Sequence, residues 1–168
     1  MRLELLQYPI TFAFGSALIT MVATAAGARD FERARRAAWT GVAVAAAIGL
    51  LFTSIALVGE RWMSLFTSDP AVRDLGVTYL HCQAAVFPFT GAALACYFAT
   101  VGLGTVVGPF LLAVLRITIA VAGGWVALEL GGGPVGLFLA SSVAFVTFAI
   151  GLLLITRRRF DGLAFRRR

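Results

Sequence analysis

What most constrains this chain is where its charges are missing. Leu5–Ala28 runs 24 residues without Asp, Glu, Lys or Arg, and Ala37–Gly59 runs 23. Gly76–Leu115 adds 40 such residues, Ile117–Leu128 adds 12 and Leu130–Thr156 adds 27. Roughly 20 apolar residues cross a bilayer as a helix, so these windows require lipid around them. Across all 168 residues, 60% are hydrophobic and 13% charged, whereas a water-soluble domain carries about 25% charge. A soluble enzyme, a secreted disulfide scaffold and a disordered tail are excluded. The expected fold class is all-α, a polytopic integral membrane protein with five transmembrane helices.

The windows divide into five predicted spans: Leu5–Ala28, Ala37–Gly59, Val77–Thr100, Val106–Leu128 and Pro134–Thr156. Residues 1–156 then form one five-span membrane domain, and residues 157–168 a basic cytoplasmic tail. In span two Gly41, Ala45 and Gly49 fall four apart, a small-residue stripe that lets helix backbones approach closely in lipid. Trp62, Met63, Leu65 and Phe66 suit the interfacial belt. Asp69 before Pro70 reads as an N-cap with proline at the first helical position. Pro88 should kink span three and free a backbone carbonyl. Gly102, Gly104 and Gly108 with Pro109 make a turn, since their spacing does not fit a dinucleotide fingerprint. GGGPVG makes a second, tighter one.

All 14 basic residues are arginines, and the net charge is +6. A basic balance can mark a phosphate-binding surface, but ten of these arginines flank spans, so no nucleic-acid partner is expected. Alternating five spans places Arg29, Arg33, Arg35, Arg36, Arg157, Arg158, Arg159, Arg166, Arg167 and Arg168 on one side. Arg2, Arg61 and Arg73 fall on the other. The positive-inside rule then puts the N-terminus outside and the C-terminus in the cytoplasm, with the plasma (inner) membrane as the expected location. Basic residues after Ala28 reverse the charge gradient of a signal peptide, so the first window reads as a true span. An external N-terminus without an export signal leads us to expect further sequence upstream.

Few residues here could carry chemistry. No metal site, triad or carboxylate pair is visible, and neither an enzyme nor a bound cofactor is expected. His81 reads as an interfacial or packing residue. Cys82 and Cys96, roughly 21 Å apart if on one helix, are too distant to bridge. Arg116 is the one charge at depth, ten residues into span four, where an arginine costs about 2.5–3.5 kcal/mol to insert. Two readings stay open for it: snorkelling towards the span's start, or a gate or ion-pair residue on a substrate path. Span three carries Tyr79, Gln83, Phe87, Thr90, Leu94 and Tyr97 at spacings of three and four. They form either a cavity wall for a greasy cation or drug, or ordinary helix packing. Thr11, Ser16 and Thr20 on span one are weaker candidates of the same kind. The substrate-cavity candidates are therefore Gln83, Phe87, Thr90, Tyr97 and Thr20.

One stretch has a familiar look. Arg2–Leu5, Phe14–Gly15 with Ala17–Leu18 and Thr20, Gly27–Ala28 and Arg33–Trp39 follow one another in an order that resembles the multidrug and toxic compound extrusion (MATE) family. Leu65–Leu80 is similar to that family's outer connection before its tenth span. The resemblance implies twelve spans in two six-helix lobes with both termini cytoplasmic, this chain matching spans eight to twelve. That is the C-terminal lobe without its first helix, and it gives the same orientation as the arginine count. It further implies export of cationic or amphipathic organic compounds in exchange for H⁺ or Na⁺ by alternating access. The implied partners are a missing N-terminal lobe or a second membrane subunit, small organic cations or drugs, and the lipid bilayer. In the NorM-like branch a C-lobe cation site uses a carboxylate on span ten, and Val77–Thr100 has none. The coupling ion is therefore expected to bind outside this chain. The rival reading is a five-span structural or interaction subunit with no transport of its own.

Overall fold

The computed structural model of the chain describes residues 3–165. Among these residues there are seven helices and no strand: α1 (Glu4–Gly27), α2 (Phe31–Leu57), α3 (Gly59–Ser64), α4 (Pro70–Ala84), α5 (Phe87–Gly102), α6 (Val107–Glu129) and α7 (Gly133–Phe165). Helices α1, α2, α6 and α7 are each long and apolar enough to cross a membrane. The pair α4 and α5 qualifies together as a fifth span, bent by 56° at its break. The fold is an all-α, multi-pass membrane protein.

Helix ends follow local chemistry. After α1, α5 and α6 one residue turns left-handed: Arg29 at φ 56°, Gly104 at 73° and Gly131 at 75°. Two N–H groups then fold back onto the last turn, as in Arg29 to Ala26 O at 3.0 Å and Asp30 to Ala25 O at 2.9 Å. Glycine adopts that φ without steric cost, so the two predicted glycine turns form where expected. Asp30 and Asp69 cap the helices that follow, accepting from Arg33 N at 3.0 Å and Ala71 N at 2.9 Å. Pro70 opens α4 at its first turn.

The core centres on α5, which packs against α1, α2 and α7. The small-residue stripe makes this possible. A Cβ on Gly49 would stand 2.5 Å from both the Phe87 carbonyl oxygen and Pro88 Cα, and one on Gly91 would collide with the Ala45 carbonyl. Gly41 likewise lies under Leu18 of α1, whose Cδ2 is 2.7 Å from an ideal Cβ position. Without hydrophobic drive between helices in lipid, such close backbone approach supplies the packing.

Two sequence expectations change. The predicted single helix of span three is broken at Ala85–Val86, just before Pro88. Pro88 has no N–H for the carbonyl four residues back, and that Ala84 carbonyl instead accepts from Thr53 Oγ1 at 2.6 Å. Cys82 and Cys96 consequently sit on different helices, both as free thiols. The basic tail continues α7 as helix through Phe165. Phe160, 2% exposed, joins the core cluster containing Ala34 and Ala38, while Arg157 and Asp161 pair at 4.0 Å on the outer face. Arg2, Arg166, Arg167 and Arg168, on which part of the orientation argument rests, lie outside the described residues.

Candidate functional site

The break between α4 and α5 is held by polar side chains from three other helices. Gln7 of α1 reaches across to donate from Nε2 to the Phe87 carbonyl at 3.0 Å. Thr53 of α2 serves the Ala84 carbonyl. From α7, the Ser142 hydroxyl lies 3.2 Å from Gln83 Oε1 and 3.3 Å from the Cys82 carbonyl. Gln7 and Gln83 are almost fully buried, at 1% and 2% exposure. Buried polar groups stay favourable only when partnered, and here Thr53 and Ser142 reach carbonyls at the end of α4 while Gln7 reaches the first carbonyl of α5.

Two cavities flank this junction. Gln83, Phe87 and Thr90 line a small one of about 10 Å³ with Tyr8, Val86 and Phe145, room for about one water molecule. Next to it is a cavity of about 470 Å³ lined by Arg116, Tyr8, Tyr79, Phe138, Ser141 and Phe145, among others. That volume falls in the range of small-molecule sites, about 300–1,000 Å³. Tyr8 and Phe145 line both.

The sequence candidates are thus dispersed. Gln83, Phe87 and Thr90 come together at the small cavity, Thr90 also donating to the Val86 carbonyl at 3.2 Å. Phe87 packs its ring on Phe52, with centroids 6.1 Å apart. Tyr79, one turn before Gln83 on α4, lies on the larger cavity, edge-on to Phe138 at 5.0 Å. Tyr97 lines neither cavity and packs beside the core against Phe98 at 5.5 Å. Thr20 is exposed and donates to the Ser16 carbonyl at 3.2 Å. His81 is exposed. Among the described residues no group of His, Cys, Asp or Glu is placed to hold a metal ion.

Arg116 borders the larger cavity. Its guanidinium carbon lies 4.6 Å from the ring centre of Phe145 and 5.5 Å from that of Phe148. Helices α6 and α7 run antiparallel, with Leu112 facing Gly151 and Gly123 facing Ala140. By that register Arg116 faces the level of Thr147, so its guanidinium reaches sideways to α7 and is not drawn towards the start of α6. Glu129 accepts instead from Trp125 Nε1 at 3.2 Å.

Known proteins share this sequence pattern. The MatE family model matches residues 1–126. The chain belongs to the MatE family. The membership agrees with the multi-pass, all-α architecture described above. It is also 28% identical over 157 residues to the "Probable multidrug resistance protein NorM" of Caulobacter vibrioides. The match covers 92% of this chain and 33% of that relative, so the chain spans about a third of the relative's length.

Sequence reasoning missed Tyr8, Gln7, Ser141, Ser142 and Phe145. A signal for some of them existed. Phe138, Ser141, Ser142, Phe145 and Phe148 recur at helical spacing along an otherwise aliphatic span. Gln7 offered no such pattern, because its partner is 80 residues away.

Proposed function

We propose that this MatE chain forms part of a multidrug efflux antiporter. It would contribute a cavity wall to a site that exports cationic or amphipathic organic compounds in exchange for H⁺ or Na⁺. The observation that carries the reading is the broken membrane span with a drug-sized cavity beside it. In transporters discontinuous helices commonly place backbone groups at a substrate site near mid-bilayer, and rocking of one helical bundle against another alternates access. Ser141 supplies a hydrogen-bonding group on the larger cavity, Tyr79, Phe138 and Phe145 supply aromatic contact, and Gln83, Phe87 and Thr90 line the one-water space next to it, a mixture that suits loose recognition.

In this reading the chain faces a second helical lobe, supplied by the same polypeptide or by another membrane subunit. The coupling ion binds outside this chain, since its predicted spans contain no carboxylate. Ten arginines against three favour a cytoplasmic C-terminus in the inner membrane. The rival, a packing subunit without transport, draws support from α6, where the residues buried in the chain are Pro109 and Gly124.

The test is drug accumulation in a host stripped of its own efflux pumps. Expression of the gene product that contains this chain should lower ethidium accumulation, and collapse of the ion gradient should abolish the effect. Gln83→Leu combined with Thr90→Val should restore accumulation while membrane protein levels stay constant. Unchanged accumulation on expression would refute transport, and loss of membrane protein in the double variant would favour packing.

A further inference from the structure

The larger cavity has an electrostatic character opposite to what a purely cationic substrate requires. Arg116 borders it, and no acidic side chain is among the residues that line it. The guanidinium makes cation–π contacts with Phe145 and Phe148, which hold a cation by the ring faces and use none of its five N–H donors. Among the described residues no carboxylate pairs with it, the ion pair there being Arg157 with Asp161. Arg116 lies in the middle turns of α6, at a depth where an ionisable group normally faces a protein interior or cavity and has a partner. Here it borders a cavity and its hydrogen-bonding edge is uncommitted. Ser141 and Tyr79 border the same space.

We propose that this cavity binds the carboxylate of an amphipathic aromatic compound, so that within the amphipathic substrate class it prefers anionic and zwitterionic members over simple organic cations. A guanidinium is matched to a carboxylate by two parallel N–H···O bonds, stronger than neutral hydrogen bonds and demanding in geometry. The rings of Tyr79, Phe138 and Phe145 would take the compound's aromatic body. Phe145 already carries the guanidinium over one ring, so the pocket is poorly suited to a second cation. The inference rests on the efflux reading for what the bound compound is there for, but its own content is a binding preference that can be measured without transport.

The experiment is calorimetric titration of the purified protein, in phosphatidylcholine nanodiscs, with three probes of one shape. These are 2-naphthoate, neutral 2-naphthamide and cationic 2-naphthylmethylammonium. The expected result is binding of naphthoate at least about tenfold tighter than either other probe, as a charge-assisted pair provides. Arg116→Gln should erase that preference and Arg116→Lys should keep part of it. Equal affinity for the three probes, or a preference surviving in Arg116→Gln, would overturn the proposal. If Arg116→Gln does not assemble, the probe series on the unaltered protein decides alone. Native mass spectrometry covers the other source of an oxyanion, a lipid phosphate. Equal phospholipid retention by both proteins supports the carboxylate assignment, whereas a phospholipid lost from Arg116→Gln would overturn it. Ethidium efflux without naphthoate preference would sink this inference alone. Naphthoate preference without efflux of either ethidium or an aromatic carboxylate would sink the transport reading and leave the site.

Discussion

Helices α5 and α6 are neighbours in sequence and similar in apolar character, yet they live in different surroundings. Of the 16 residues of α5, ten are buried, among them Gly91, Ala92, Ala93, Ala95 and Ala99. Of the 23 residues of α6, two are buried, Pro109 and Gly124. Small residues let α5 be enclosed by three helices at close backbone distance. Helix α6 has large side chains, packs chiefly on α7, and borders the open space beside Arg116. Hydrophobicity decides that both enter the membrane, and residue size decides which becomes core and which lines a cavity.

That contrast can be broken deliberately. The largest effect is expected for Gly91→Val, because the added atoms meet the Ala45 carbonyl, a backbone group that cannot step aside. Overpacking of this kind costs about 1–3 kcal/mol or more, so folded, monodisperse protein should be lost in fluorescence-detected size exclusion. Thr53→Val comes next. It removes the hydroxyl serving the Ala84 carbonyl, and an unsatisfied buried acceptor costs about 1–3 kcal/mol, read as a lower unfolding midpoint in mixed micelles.

On the α6 side the sign reverses. Arg116→Met removes an insertion cost of about 2.5–3.5 kcal/mol and loses cation–π contacts worth about 0.5–2 kcal/mol. Stability should therefore rise by about 0.5–3 kcal/mol on these two figures. Phe110→Ala, at a side chain 62% exposed on α6, should change the midpoint by less than about 0.5 kcal/mol. A large loss there would mean that α6 is packed far more tightly than its exposure indicates.

Much of the fold was legible because it follows from short-range chemistry. Charge-free windows mark the spans, Asp69–Pro70 marks a helix start, and the Gly41–Ala45–Gly49 stripe marks a close backbone approach between helices. Pro88 announced a bend and a freed carbonyl, but not that α4 and α5 would separate at Ala85–Val86. That depends on Gln7, Thr53 and Ser142 arriving from distant parts of the chain. The candidate site shows the same division. The depth of Arg116 could be counted along the sequence, whereas its stacking on Phe145 and Phe148 follows from the α6–α7 register, set by glycine contacts at Gly123 and Gly151. Tyr97 shares the helical spacing of Gln83 and Thr90, but it lies two turns beyond Thr90 along α5, past the small cavity, and packs against Phe98 instead.

The most direct test of this division is cysteine accessibility in the membrane. With Cys82→Ala and Cys96→Ala as background, Ser141→Cys reports on the cavity and Ala92→Cys on the enclosed face of α5. A small, membrane-impermeant maleimide should label residue 141 in vesicles opened to both faces and leave residue 92 unlabelled until the protein is denatured. Equal labelling at the two positions before denaturation would contradict the account, because it would mean that α5 is not enclosed or that the space beside Arg116 does not admit water-borne ligands.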